Sequence, residues 1–282
     1  MSLTYSKLLK KPRSLQRLLG VDKEAFTLIV THLTPIWISY QQKRYIRSGR
    51  NYKHHLGGMI ALLLIYYRSY ITQEFVGYIF NLDKSNVCRI IKQLEPLLAK
   101  ILPIPKRRVL TQEEVTSLII DVTEQPIERP KKGQKDYYSG KKKQHTLKTE
   151  IRIDQNGKIV QLSKSYPGKL HDFSIFKIEP PPPDGIELLA DSGYQGIDKL
   201  YQMSCIPFKG SKNNPLCKHK KIYNQALSSK RALVEHKIGA IKIFKIIGNR
   251  YRNKRERYNL KFKIVAGLVN FKGGHQLKSR VA

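Results

Sequence analysis

Acids are scarce in this sequence, and two of them end apolar runs of the kind that form buried strands. In SLIIDVTEQPI, residues 117–127, the run ends in Asp121 with Glu124 close behind, and in ELLADSGYQG, residues 187–196, it ends in Asp191. If both runs are neighbouring strands of one sheet, the two carboxylates meet at one edge. Charged carboxylates so close repel, and one takes up a proton unless a divalent cation lies between them. Hard oxygen donors suit Mg2+ or Mn2+. A pair of such ions clamps the attacking and leaving oxygens of an in-line phosphoryl displacement. Glu235, in SSKRALVEHKIGAIK, is the candidate third ligand. Arg231, Glu235, Ile238 and Lys242 recur on one helix face at i, i+4, i+7 and i+11. The same spacing serves equally well for a surface Arg231–Glu235 ion pair, worth only ~0.3–0.5 kcal/mol.

Such chemistry needs a phosphodiester, and the charge balance points to one. The 282 residues include 53 Lys+Arg and 21 Asp+Glu, a formal net charge of +32. Residues 1–110 carry 19 basic and 5 acidic side chains, so the excess is spread along the chain and not confined to a tail. A field of that sign and size favours a polyanion, and nucleic acid above all, because each neutralised phosphate releases condensed counterions. The N-terminal MSLTYSKLLKKPRS has no apolar core for a secretory signal. The longest apolar run, Met59 to Tyr67, falls far short of the ~20 residues that span a bilayer. The expectation is a soluble, intracellular protein with no membrane contact. Cys88, Cys205 and Cys217 are odd in number and widely spaced, which supports neither a disulfide framework nor a zinc site.

The elements that must hold these acids fall into two groups. Residues 21–38 read as an amphipathic helix begun by Asp22 and ended near Pro35, followed by a polar basic linker or loop, QQKRYIRSGRNY; 56–67 read as a strongly apolar helix. Thr72 caps a short helix through Ile79, Asn81 to Asp83 make a turn, and Lys84 opens a longer helix whose Val87, Ile91, Leu94 and Leu98 form one stripe. That is a helix-turn-helix, at about residues 56–100 of a helical DNA-binding domain spanning 1–105. Lys84, Ser85, Asn86 and Arg89 face away from the stripe at the end that meets base edges in the major groove. A plain helical hairpin with a solvated polar face is the alternative. LPIPKRRVLTQ, 102–112, has the composition of a hinge.

Beyond it, 118–122, 146–153 and 158–165 read as strands, with a hairpin turn at Asp154–Gly157. A short helix at 173–177 ends at four prolines, 186–190 and a stretch within 204–210 add strands, and a long helix covers about 224–247 with Val234, Ile238, Ile241 and Lys245 on one stripe. A mixed α/β sheet with helices on its faces is the predicted architecture for 111–282. Asp172 precedes an apolar helix, the position of an ordinary N-cap; with His171 it is otherwise an auxiliary group of the site. Glu124 is placed in the turn after the first strand, as a neighbour of the acids or a fourth ligand.

DVTEQPIERP, YYSGKKKQHTLK, the GKLHD loop, ADSGYQG and RALVEHKIGAIKIF, taken in order, resemble the DDE transposases of the bacterial insertion-sequence family five and their PIF/Harbinger relatives. The resemblance implies an RNase H-like mixed-sheet catalytic domain preceded by an all-α helix-turn-helix domain. It implies Asp121, Asp191 and Glu235 as a metal-binding catalytic triad for two Mg2+ or Mn2+ ions. It implies double-stranded DNA as partner, both the element's terminal inverted repeats and the target, with a homodimer or larger assembly on DNA, in the cytoplasm and at the nucleoid of a bacterium. Related families share a helix signature of Tyr, Arg, Glu and Lys; Arg231, Glu235 and Lys242 match it and Ser228 takes the tyrosine position. Arg231 and Lys242 are then phosphate contacts. Lys141, Lys142, Lys143, His145 and Lys148 are further DNA contacts on the hairpin beside Asp121, or a solvated face. The activities weighed are strand cleavage with strand transfer, DNA binding without catalysis by a regulator or decayed transposase, and cleavage without transfer.

Overall fold

The computed structural model describes residues 3–44, 52–102, 104, 110, 111, 113, 115–213 and 215–272. In chain order the helices and strands are α1 (Tyr5–Leu9), α2 (Pro12–Leu19), α3 (Lys23–Arg44), α4 (Leu56–Ser69), α5 (Gln73–Phe80), α6 (Lys84–Ile101), β1 (Ser117–Pro126), α7 (Gln134–Tyr137), β2 (Tyr138–Ser139), β3 (Gln144–Asp154), β4 (Ile159–Pro167), α8 (Asp172–Ile178), β5 (Glu187–Leu189), β6 (Ser204–Cys205), α9 (Lys218–Lys242), α10 (Lys245–Gly248) and α11 (Tyr258–Lys272). They form two compact units: residues 1–103 with 241–249 and 255–282, and residues 104–240 with 250–254.

In the first, helical unit, the signals that start helices are satisfied as the sequence predicts. Thr72 Oγ1 accepts from the Phe75 amide at 3.2 Å and Asp83 Oδ1 from the Ser85 amide at 2.8 Å, each removing one orphan donor of a first turn. Asn81 takes the left-handed conformation that closes α5. Val87, Ile91, Leu94 and Leu98 are all buried. One expectation fails: Pro35 does not end its helix, because α3 continues to Arg44. Proline costs that helix a hydrogen bond, but Leu33 and Trp37 on either side of it are buried, so packing carries the chain through. The 41–52 linker is thus helical at its start, and 45–51 lie outside the described residues. So does most of the expected hinge at 102–112.

The unit is fastened by a charge network. Glu95, with no exposed surface, accepts the Tyr67 hydroxyl at 2.9 Å and pairs with Lys261 at 2.9 Å and Arg257 at 2.7 Å. α6, α4 and α11 therefore meet at one buried carboxylate. Burial holds the Lys261 ammonium below its ordinary pKa, against the opposing pull of Glu95.

The second unit is a mixed sheet. β1 pairs antiparallel with β3 over its whole length, β4 pairs antiparallel with β3, and β1, β5 and β6 run parallel in that order. Gly157, at φ 73°, turns the β3–β4 hairpin, a conformation glycine adopts without steric cost. Leu118 and Ile120 of β1 pack with Leu188, Ala190, Tyr194 and Phe176 in one core cluster. This is the mixed α/β sheet expected of an RNase H-like domain. Two boundaries differ. β1 does not stop at Val122 but runs to Pro126, since β3 supplies a partner for every residue from Leu118 to Pro126; Glu124 is therefore in a strand and not in a turn. The long terminal helix begins earlier than expected, at Lys218, and stops at Lys242, with Lys245 exposed in the separate α10.

Candidate active site

Register brings the first two acids together. β1 and β5 pair Leu118 with Leu188 and Ile119 with Leu189, so Asp121 and Asp191, two residues further on each, leave adjacent parallel strands at the same height. Side chains alternate along a strand, which puts Asp121 on the face opposite Leu118 and Ile120. Asp191 follows β5 and caps the short 3-10 turn Ser192–Tyr194, its Oδ1 accepting from the Gly193 amide at 2.7 Å.

A third acid joins them, and it is not the one the spacing singles out. Asp172 is the first residue of α8, whose N-cap is His171, and His171 makes no side-chain cap bond. The expected capping role of Asp172 is therefore corrected. Its carboxylate accepts from Lys148 Nζ at 2.9 Å, and the same ammonium donates to the Leu170 carbonyl at 2.8 Å. A Cβ on Gly193 would lie 2.9 Å from Asp191 Oδ1 and 3.4 Å from Asp172 Oδ2. Both carboxylates thus lean over one glycine, whose missing side chain leaves them room.

The electrostatics follow from this arrangement. Burial pushes the Asp121 carboxyl up to about 6; the charges of Asp191 and Asp172 push the same way, while the Val122 amide and the Arg231 guanidinium pull it back. Beneath lies a buried layer, in which Arg152 Nε donates to Glu150 Oε1 at 2.8 Å and the Tyr194 hydroxyl to Glu150 Oε2 at 3.3 Å. Tyr194 is held well above the ordinary tyrosine pKa, first by burial and then by Glu150, Asp121, Asp172 and Asp191. It stays a neutral donor under the acids.

Of the α9 residues, Arg231 is half-buried, with an Nε that has no hydrogen-bond partner, and its charge reaches Asp121. Glu235, one turn on, is exposed. Among the described residues no three His, Cys, Asp or Glu side chains converge as a metal cage. Lys242 is exposed near the end of α9. The β2–β3 hairpin lies further off than the sequence implies. Asp121 faces Ile151 and His145 faces Tyr138, so His145 stands six residues along β3, about 20 Å away at ~3.3 Å per residue. Lys141, Lys142 and Lys143 are exposed beyond it, while Lys148 is engaged by Asp172. His171 is exposed. Glu124 accepts from Thr146 Oγ1 at 2.5 Å and, three residues from Asp121, points to the other face. In the helical unit, Lys84, Ser85, Asn86 and Arg89 are all exposed at the start of α6, with Arg89 Nη1 donating to Asn86 Oδ1 at 3.2 Å.

The sequence pattern missed the Lys148–Asp172 pair and the Glu150–Arg152–Tyr194 layer. Only the unusual charge of Glu150 and Arg152 inside an apolar strand, TEIRI, hinted at the second; buried charges of this kind are paired.

The family described as DDE superfamily endonuclease matches residues 120–270, and the helix-turn-helix of DDE superfamily endonuclease matches residues 56–104. The chain is 34% identical over 264 residues to the "Probable transposase for insertion sequence element IS702" of Microchaete diplosiphon, covering 92% of this chain and 94% of that one. Among the described residues no helix is long and apolar enough to cross a membrane. Asp121 and Asp191 lie inside the first matched range, α5 and α6 inside the second, and the chain belongs to the DDE superfamily of endonucleases.

Proposed function

We propose that this protein is a DNA transposase: it binds the inverted-repeat ends of its element through α5 and α6 and catalyses metal-dependent strand cleavage and strand transfer at Asp121, Asp191 and Glu235. The observation that carries this reading is the matched height of Asp121 and Asp191 on adjacent parallel strands. The donor set fits a hard divalent cation, because the burial and neighbouring charges that drive Asp121 up to about 6 are offset when a cation replaces the proton. Glu235 follows Arg231 by four residues, about 6 Å along the axis, and Arg231 already lies within electrostatic reach of Asp121. Bound Mg2+ or Mn2+, two ions in all, supplies Lewis acidity to the scissile phosphate.

The chain's own groups do the rest. Asp121, Asp191 and Glu235 would hold the ions; Asp172, fixed by Lys148, orients the loop of Asp191; Arg231 and Lys242 take phosphate oxygens. Water adds to phosphorus as the bond to the 3′ oxygen breaks, and the leaving oxygen departs as a 3′-hydroxyl. That hydroxyl then attacks a target phosphate and displaces its 3′ oxygen, so one P–O bond forms for each one broken. Joining two ends requires at least two copies of the chain on DNA. The name borne by the Microchaete relative supports the same activity.

A second reading, a helix-turn-helix DNA-binding protein that does not cut, draws on the exposure of Glu235. Incubating the full chain with a duplex carrying its element's ends and Mn2+ separates them. Nicked and joined products, absent with Asp121→Asn although that variant still binds, support the transposase. Binding without cleavage supports the second reading, and cleavage without joined product supports a nuclease alone.

A further inference from the structure

The proposed chemistry leaves a basic, aromatic segment on the same edge of the sheet without a role. From Lys199 to Arg231 the chain has no acidic residue, and Lys209, Lys212, Lys218, Lys220 and Lys221 are all exposed. Within this stretch Phe208 and Tyr223 are 46% and 37% exposed, with ring centroids 5.1 Å apart at an interplanar angle of 58°. Lys220 Nζ lies 5.2 Å from the Phe208 ring. Burying two rings against each other and leaving both accessible does little for a core; surface aromatics flanked by cations are what stacking sites for nucleobases are made of.

The pair is built and positioned. Asn224 holds Phe208 by both backbone groups: its Oδ1 accepts the Phe208 amide at 2.9 Å and its Nδ2 donates to the Phe208 carbonyl at 3.0 Å. Gln195 Nε2, in the loop after Asp191, donates to the Pro207 carbonyl at 3.2 Å. β5 and β6 are parallel and pair Leu189 with Cys205, so the segments that leave them, toward Asp191 and toward Phe208, emerge at the same end of the sheet. Asp121 to β6 is two strand spacings, roughly 10 Å, or about three nucleotide steps of ~3.4 Å.

We infer that Phe208 and Tyr223, with Lys220, form a stacking site for an unpaired nucleobase of the strand whose phosphate lies at Asp121 and Asp191. Its occupant is a single-stranded or flipped-out nucleotide of any sequence, since every base offers a π face. The inference deepens the proposed function and rests on it for the location of the strand, while the stacking itself needs neither metal nor cleavage. The lysines supply the phosphate attraction and the rings the grip on the base.

An oligo(dT) probe with a central 2-aminopurine, titrated with the full chain in EDTA, tests it. The expected result is quenched emission. Phe208→Ala and Tyr223→Ala each weaken binding roughly tenfold without lowering the melting temperature, Phe208→Tyr binds as wild type, and Lys220→Gln lowers the slope of log K against log salt by about 0.7. The titration is made in EDTA, where nothing is cut, so a failure to cleave in the separate metal-loaded assay leaves this result intact. Unquenched 2-aminopurine, or alanine variants that quench like the wild type, overturns the inference even if cleavage is observed.

Discussion

Asp121 and Asp191 stand level on neighbouring parallel strands, each two residues past the Ile119–Leu189 register pair. Their placement has a thermodynamic consequence. Asp121 titrates near 6 in the folded chain and near 3.9 when unfolded. Between those values the folded state binds the extra proton, so the contribution of this group to stability is greatest below about pH 4 and is lost as pH rises through 6. Asp121→Asn removes this penalty. In EDTA at pH 7 it is expected to stabilise the protein by on the order of 1–2 kcal/mol, about half the full linkage value because the group is partly exposed. At pH 4 the gain should be close to nil. Thermal unfolding followed by circular dichroism at both pH values reads this, and an equal gain at both would contradict it.

Glu95 is the sole acid holding Lys261 and Arg257 among the described ion pairs. Glu95→Ala leaves a buried ammonium without its partner and should cost about 3–5 kcal/mol. The expected readout in urea unfolding is a lower midpoint, with weakened DNA binding because α6 loses its support. An unchanged midpoint would mean that the network is dispensable.

Gly77 sits where the chain folds back on α5, and a Cβ there would collide with the Leu82 carbonyl oxygen. Backbone cannot move aside as a side-chain tip can, so Gly77→Ala is expected to destabilise the helix-turn-helix by about 1–3 kcal/mol. Gly140, where an added Cβ would meet nothing within 4 Å, provides the control: Gly140→Ala should leave the midpoint within about 0.5 kcal/mol.

Lys84 is exposed at the first turn of α6 and only 3.9 Å from the equally exposed Glu74, a pair worth little in water. At the end of α6 that enters the groove, its compact point charge is predicted to take a phosphate beside the base edges and not a base. Lys84→Gln should weaken binding to all duplexes alike and reduce the salt slope by about 0.9. A loss confined to one sequence, measured by fluorescence anisotropy across a salt series, would make it a base contact instead.

The elements legible in the sequence are those with local causes. Thr72 and Asp83 announce their helices because capping acts within a few residues, and the Val87–Leu98 stripe appears because its spacing is the helix period. Asp121 and Asp191 can be paired in advance because each ends an apolar run. What escaped the pattern depends on distant partners. α3 passes Pro35 on the strength of packing by Leu33 and Trp37, β1 extends to Pro126 because β3 pairs with it, and Asp172, legible as either a cap or an auxiliary acid, is drawn away from the cap by the Lys148 that β3 delivers. α11 joins the first unit through Glu95, more than 160 positions before Arg257. No window of sequence contains that contact.

The central claim is that Asp121, Asp191 and Glu235 together hold divalent ions. Mn2+ binding to the full chain, followed by electron paramagnetic resonance in the presence of a duplex carrying the element's ends, tests it most directly. The result expected is saturable uptake near two ions per chain by the wild type, lost in Asp121→Asn and Asp191→Asn and reduced in Glu235→Gln. Uptake by Glu235→Gln equal to that of the wild type would contradict the account.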